Sequence, residues 1–222
     1  MPKAPHRPTE TTYQAFQAAY DHFNRELFGG SLPSCLITLQ RRDKRTHGYF
    51  WADRFGEIGG RDRTDEIAMN PQHFLRQPMR ETLGTLVHEM VHLWHQHEGK
   101  PGRRGYHNKE WAAKMKAVGL YPSSTGKPDG KEVGQHMSHY IVEGGPFAVA
   151  FDALASDGFR LAWGELAVHL LEGENGDDEG GGEDKNRSNR VKYTCPGCDV
   201  NAWGKPDLRL ICGKCEVAFV VA

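Results

Sequence analysis

The chain has 222 residues, with 28 Lys and Arg against 29 Asp and Glu and 38% hydrophobic side chains. That length suits one substantial core plus a small module. No apolar run is long enough to span a bilayer, and MPKAPHRPTE lacks the apolar stretch of a secretory signal, so we expect an intracellular, cytoplasmic protein with no membrane partner. The near-zero sum hides an uneven distribution: residues 1–122 carry 18 basic and 13 acidic groups, residues 172–189 carry 2 and 7, and residues 190–222 carry 5 and 3.

After a tail at 1–10, Tyr13, Phe16, Tyr20, Phe23 and Leu27 recur every three or four residues, which predicts a helix over 12–28 closed by Gly29-Gly30. Its aromatic face should pack on a sheet. Residues 35–40 read as a buried strand, 48–51 as a second and 66–70 as a third that stops before Pro71. Cys35 reads as a buried small side chain. From Met79 to His97, Leu83, Leu86, Val87, Met90, Leu93 and Trp94 keep helical spacing, and Gly99 follows to end the helix. A loop at 99–105, His107 and a short helix over 109–118 carrying Trp111, Met115 and Val118 inward complete a domain at 11–122. The basic clusters Arg41, Arg42, Lys44 and Arg45, then Arg61 and Arg63, then Lys100, Arg103 and Arg104 read as solvated loops unless something else makes them a phosphate-holding surface.

Residues 123–171 form an extension to which no function is assigned, with a turn-rich start and apolar patches at 140–142, 147–151 and 159–171, the last read as a helix around Trp163. Residues 172–189 have no aliphatic or aromatic side chain and are expected to be an acidic, Gly-rich flexible linker. Residues 190–222 form a second module.

His88-Glu89-Met90-Val91-His92 reads HExxH in the middle of the 79–97 helix. Histidines four apart stand one turn above each other, so both imidazoles can bind one zinc ion while Glu89 serves as general base toward a water. A catalytic zinc needs a third protein ligand. His95 and His97 share the helix and cannot easily swing round, and the sixth position after His92 is Glu98, which argues against a metzincin. Spacing favours His107 over Glu110 and leaves both open. An extended substrate could pair with an edge strand, for which 66–70 is the natural choice; His95, Tyr106 and Tyr140 are candidate oxyanion donors.

Four of the five cysteines form Cys195-Pro-Gly-Cys198 and Cys212-Gly-Lys-Cys215, thirteen residues apart. This is the spacing of a ribbon whose four thiolates close a structural zinc site, and it suits a metal better than two disulfides. Arg190, Lys192, Trp203, Lys205 and Arg209 are candidate nucleic-acid contacts, combining phosphate binding with base stacking. Tyr193 is assigned to the ribbon core, and Trp203 is balanced between core and contact.

HEMVHLW, the loop after it and YHNKEW at 106–111, with DHFNRELFGGSLP at 21–33 and the terminal ribbon, resemble the SprT-like family of zinc metalloproteases, which includes the Spartan proteases. The resemblance implies an α+β, zincin-like minimal metalloprotease domain, a small sheet packed on helices, followed by a zinc ribbon. It also implies His107 as third ligand, with Trp111 as the large aromatic that follows it. By the same likeness we expect two zinc ions, one catalytic and one structural, with proteins attached to or crosslinked with DNA as substrates. Single-stranded or damaged DNA is the expected partner, which would place the chain at the nucleoid. The rival reading is a non-catalytic zinc-ribbon nucleic-acid-binding protein or transcription regulator, which leaves Glu89 between the histidines without a purpose.

Overall fold

Pro8, whose ring fixes φ near the helical value, starts helix α1 (Pro8–Phe28) four residues before the expected start at residue 12. The computed structural model describes residues 7–42, 44–166 and 191–221. The expected linker at 172–189, Arg190, and the end of the apolar stretch at 167–171 therefore lie outside the described residues. The chain divides into two units, Met1–Gly173 and Glu174–Ala222, and both are mixtures of small sheets with, in the first, four helices.

Strands β1 (Leu36–Leu39), β2 (Gly48–Gly56) and β3 (Arg63–Met69) form a sheet of order β1-β3-β2, with β3 parallel to β1 and antiparallel to β2. The unbroken burial of Asp65–Met69 marks β3 as the central strand, which corrects the expectation that 66–70 offers an edge to substrate: both of its edges are taken. The sheet's edges belong to β1 and β2, and β2 is the one that lies along the cleft. In β1 only Ile37 is fully buried, because that strand is the opposite edge. Cys35 precedes it, half-buried, and burial pushes its thiol up to about 12, so it is inert at neutral pH.

The register of β2 on β3 shifts between Trp51 and Phe55, and Asp53 there has a positive φ of 51°. The buried Asp65 side chain holds this bulge: its Oδ1 accepts from the Asp53 N–H at 2.7 Å, and its Oδ2 lies 2.6 Å from His97 Nε2 at the end of helix α2 (Met79–His97). One carboxylate thus ties the edge strand, the central strand and helix α2 together.

Helix α2 lies on β2 and β3, so α1 finds little of the sheet to cover. Its buried side chains Phe16, Ala19, Tyr20 and Phe23 pack chiefly on helix α4 (Pro146–Ser156), then on α2 and β1; Phe23 stacks on Phe147 with centroids 5.5 Å apart. Tyr13, expected on that face, is 42% exposed. Helix α3 (Lys109–Ala117) starts at Asn108, whose side chain accepts from the Trp111 N–H. It leads into β4 (Leu120–Ser123), paired antiparallel with β5 (Ser138–Ile141). Residues 123–166 are therefore built onto the first unit. No helix forms around Trp163 through residue 166: the Glu165 N–H donates to the Pro71 carbonyl instead of to a carbonyl one turn earlier, and Gly164 sits against Phe74 and Leu75.

In the second unit β6 (Val191–Thr194) is central between β7 (Asn201–Gly204) and β8 (Val220–Val221). Tyr193, Cys195 and Cys212 are its buried side chains, too few for a core without a staple. No helix among the described residues is long and apolar enough to cross a membrane.

Candidate metal centre

Helix α2 buries a continuous stripe from Thr82 to Val91, and His88 and Glu89 lie within it. Two glycines let other elements come this close. A Cβ on Gly48 of β2 would stand 2.9 Å from Thr85 and 3.4 Å from the Glu89 side chain, and one on Gly84 would stand 3.1 Å from His139 Nε2.

His88, His92 and His107 each present a ligand atom, and these atoms all lie within 4.8 Å of one another. His107 arrives by a different route from the other two. It pairs with Gly134 through backbone bonds in both directions, and its Nδ1 donates to the Gly134 carbonyl at 3.0 Å. That bond fixes the tautomer and leaves Nε2 with its lone pair for a metal. Trp111, fully buried, sits against all three rings, with centroids 4.4 Å from His107, 5.0 Å from His88 and 5.2 Å from His92. Burial holds His88 and His92 well below the usual histidine range, with neighbouring imidazoles adding to it, and burial lowers His107 as well. Three neutral imidazoles are the donor set of a zinc site.

The rival third ligand is engaged elsewhere: Glu110 Oε2 lies 3.2 Å from His95 Nε2 and accepts from the Lys100 N–H at 2.7 Å. His97 is held by Asp65. Glu89 is 5% exposed, and burial raises its carboxyl to about 8. It lines, with the histidines, a cleft of about 1520 Å³ walled by residues 45–52, 101–107 and 135–139. Among the oxyanion candidates His95 and Tyr106 line this cleft, whereas Tyr140 stacks on Tyr121 with centroids 5.1 Å apart, because alternation along β5 turns it away from His139.

His139 is the residue that sequence reasoning passed over. Its Nδ1 lies 3.1 Å from His88 Nδ1. Burial, with His47 nearby, pushes it down to about 4, and as a neutral imidazole it can accept the His88 Nδ1–H, which would leave His88 Nε2 for a metal. Its only sequence signal was the alternation of Ser138-His139-Tyr140-Ile141, which puts His139 and Ile141 on one face.

In the second unit the sulfurs of Cys195, Cys198, Cys212 and Cys215 lie within 4.8 Å of one another. All are free thiols, with Cys198 and Cys212 Sγ 3.7 Å apart. The two knuckles repeat one geometry: Asp199 and Glu216, each directly after a CxxC, have φ of 57° and 54°, and their N–H groups donate to Cys195 and Cys212 carbonyls. Tyr193 is buried, its hydroxyl donating to the Lys205 carbonyl and accepting from the Leu208 N–H. Trp203 is 62% exposed, which removes it from the core, and it stands opposite Lys192 in register. Lys205 and Arg209 are exposed too.

The model of the SprT-like family matches residues 16–128, about half of the chain. The match contains the three histidines, Glu89 and Trp111; His139, α4 and the cysteine cluster lie beyond it. A protein of Salmonella typhimurium, described as an uncharacterized protein in the mucB 3' region, is 58% identical over 48 residues, which are 22% of this chain and 64% of that protein. The chain thus covers less than two thirds of that relative's length. No solved structure matches.

Proposed function

The chain belongs to the SprT-like family, and from that premise we propose that its first unit is a zinc-dependent endopeptidase of the HExxH type. The observation that carries this reading is the convergence of three neutral imidazoles beside a buried carboxylate in an open cleft. A structural site has no use for the carboxylate.

His88, His92 and His107 would hold the ion, with Trp111 as the floor beneath their rings. Zinc bound there supplies Lewis acidity to a water and to the scissile carbonyl. Glu89 takes the proton from the attacking water and returns it to the leaving amine; burial, which makes its charged form costly, favours that proton-holding state. The open edge of β2 offers main-chain pairing to an extended substrate. The fold on this reading is a zincin-like minimal protease followed by a structural zinc ribbon.

We further place single-stranded or damaged DNA as partner of the ribbon, and proteins attached to or crosslinked with DNA as substrates. Exposed Trp203 beside Lys192, with Lys205 and Arg209, supports this by offering a stacking face among cations. The test is casein cleavage and self-cleavage by zinc-loaded protein, with and without single-stranded DNA, beside Glu89→Gln. DNA-stimulated cleavage lost in the variant is the expected result. Equal proteolysis by both forms would sink the mechanism, and cleavage indifferent to DNA would discard the DNA coupling alone.

A further inference from the structure

The walls of the metal cleft are cationic. Arg42, Arg45, Arg103 and Arg104 line it, and among the described residues the lining carboxylates are Glu81 and Glu89, of which Glu89 lies in the buried floor. Three of these arginines lie over aromatic rings at the rim: Arg42 over Tyr49 at 5.5 Å, Arg103 over Tyr106 at 4.9 Å and Arg104 over Trp51 at 3.8 Å. Gly48 and Phe50 face helix α2, the Phe50 ring stacking on His92, so alternation turns Tyr49 and Trp51 to the other face of β2 and sets Arg42 and Arg104 on the outer rim of the cleft; Tyr106, under Arg103, directly precedes His107. Arg42, Arg103 and Arg104 are exposed, and among the described residues no carboxylate pairs with any of them.

A guanidinium that lies over a ring uses its face for that contact. Its N–H donors point outward in the plane, and the ring restrains the side chain before anything binds. Such a fork suits a carboxylate. The covered rings are poorly placed to stack nucleobases: Trp51 carries a second guanidinium, Arg54, at 4.5 Å. A basic segment entering the cleft would meet like charge at its rim.

We propose that this cleft selects polypeptide segments rich in Asp and Glu, whose carboxylates are held by Arg42, Arg103 and Arg104 along its rim. The inference deepens the endopeptidase reading and rests on it for the word substrate, but recognition can be measured without cleavage.

The experiment uses the full zinc-loaded chain carrying Glu89→Gln and three fluorescent peptides with a common centre and acidic, neutral or basic flanks. Fluorescence anisotropy should show the acidic peptide binding about tenfold more tightly than the neutral one, the effect expected of two or three exposed charge pairs. The advantage should shrink at high salt. It should collapse toward one when Arg42→Gln, Arg103→Gln and Arg104→Gln are combined, and largely survive the corresponding Arg→Lys set. Equal binding of acidic and neutral peptides, or a preference that survives the Gln set, overturns the proposal. So does a cleft that binds oligothymidine through these arginines while ignoring peptide charge. Peptide cleavage by the chain with Glu89 intact is scored separately: acidic-peptide binding with no cleavage of any peptide leaves the recognition standing and removes the endopeptidase reading.

Discussion

Glu89 is where burial and chemistry meet. A carboxyl raised from 4.5 to about 8 by burial keeps in the folded state a proton that the unfolded chain releases. Its contribution therefore falls as pH rises from about 4.5 to 8 and is flat above that. The buried histidines act the other way, favouring the fold as pH rises through the ordinary histidine range, so the informative quantity is wild type minus variant. In metal-free protein, Glu89→Gln should gain on wild type between pH 5 and pH 8.5, by on the order of a few kcal/mol, read by urea unfolding. A difference that does not change with pH would mean the carboxyl is not strained by burial. His139 would act on a metal at this site through His88. His139→Ala should weaken zinc binding at the histidine site about 10- to 100-fold, seen by chelator competition with the cysteine site as internal control; an unchanged affinity would show that His88 needs no such acceptor.

The elements hold these side chains at unusually close approach. Gly48 lets the open end of β2 lie against Thr85 and Glu89, with the Ala68 carbonyl 3.0 Å from where a Cβ would sit. Gly48→Ala should therefore lower stability by about 1–3 kcal/mol and displace the strand edge beside the metal, so that thermal unfolding and cleavage both suffer. An undiminished melting temperature would show that the strand can shift without cost. Asp65 fixes the other end of the same strand through the bulge at Asp53 and through His97. Between these two anchors β2 keeps one open edge along the cleft, which is why it, and not β3, is suited to receive an extended chain.

The molecule joins two kinds of stability. The first unit has a contiguous core drawn from all four helices and the sheet, whereas among the described residues the second buries one tyrosine and two cysteines, a core so small that closing the four thiolates on a metal would be its main source of stability. Cys195→Ser should unfold the ribbon and abolish single-stranded DNA binding while peptide cleavage in the first unit persists, measured by NMR dispersion of ribbon resonances together with the two assays. Loss of peptide cleavage in the same variant would show that the units are not independent.

By itself the sequence determined what local periodicity and spacing encode. Helix α2 runs from Met79 to His97 as its apolar residues require, the HExxH histidines share a face because 3.6 residues make a turn, and two CxxC pairs converge because each knuckle is a local fold. It could not order the strands: β3 is central because β1 and β2 both pair with it, and a short apolar run reads the same at the centre of a sheet as at its rim. Nor could spacing choose finally between His107 and Glu110, three residues apart; only the tertiary structure gathers His107 with His88 and His92 and holds Glu110 to His95 and Lys100. His139 and the arginines at the cleft rim became visible only in three dimensions, because each is defined by a partner distant in the chain, and contacts of that kind leave no local period for a single sequence to show.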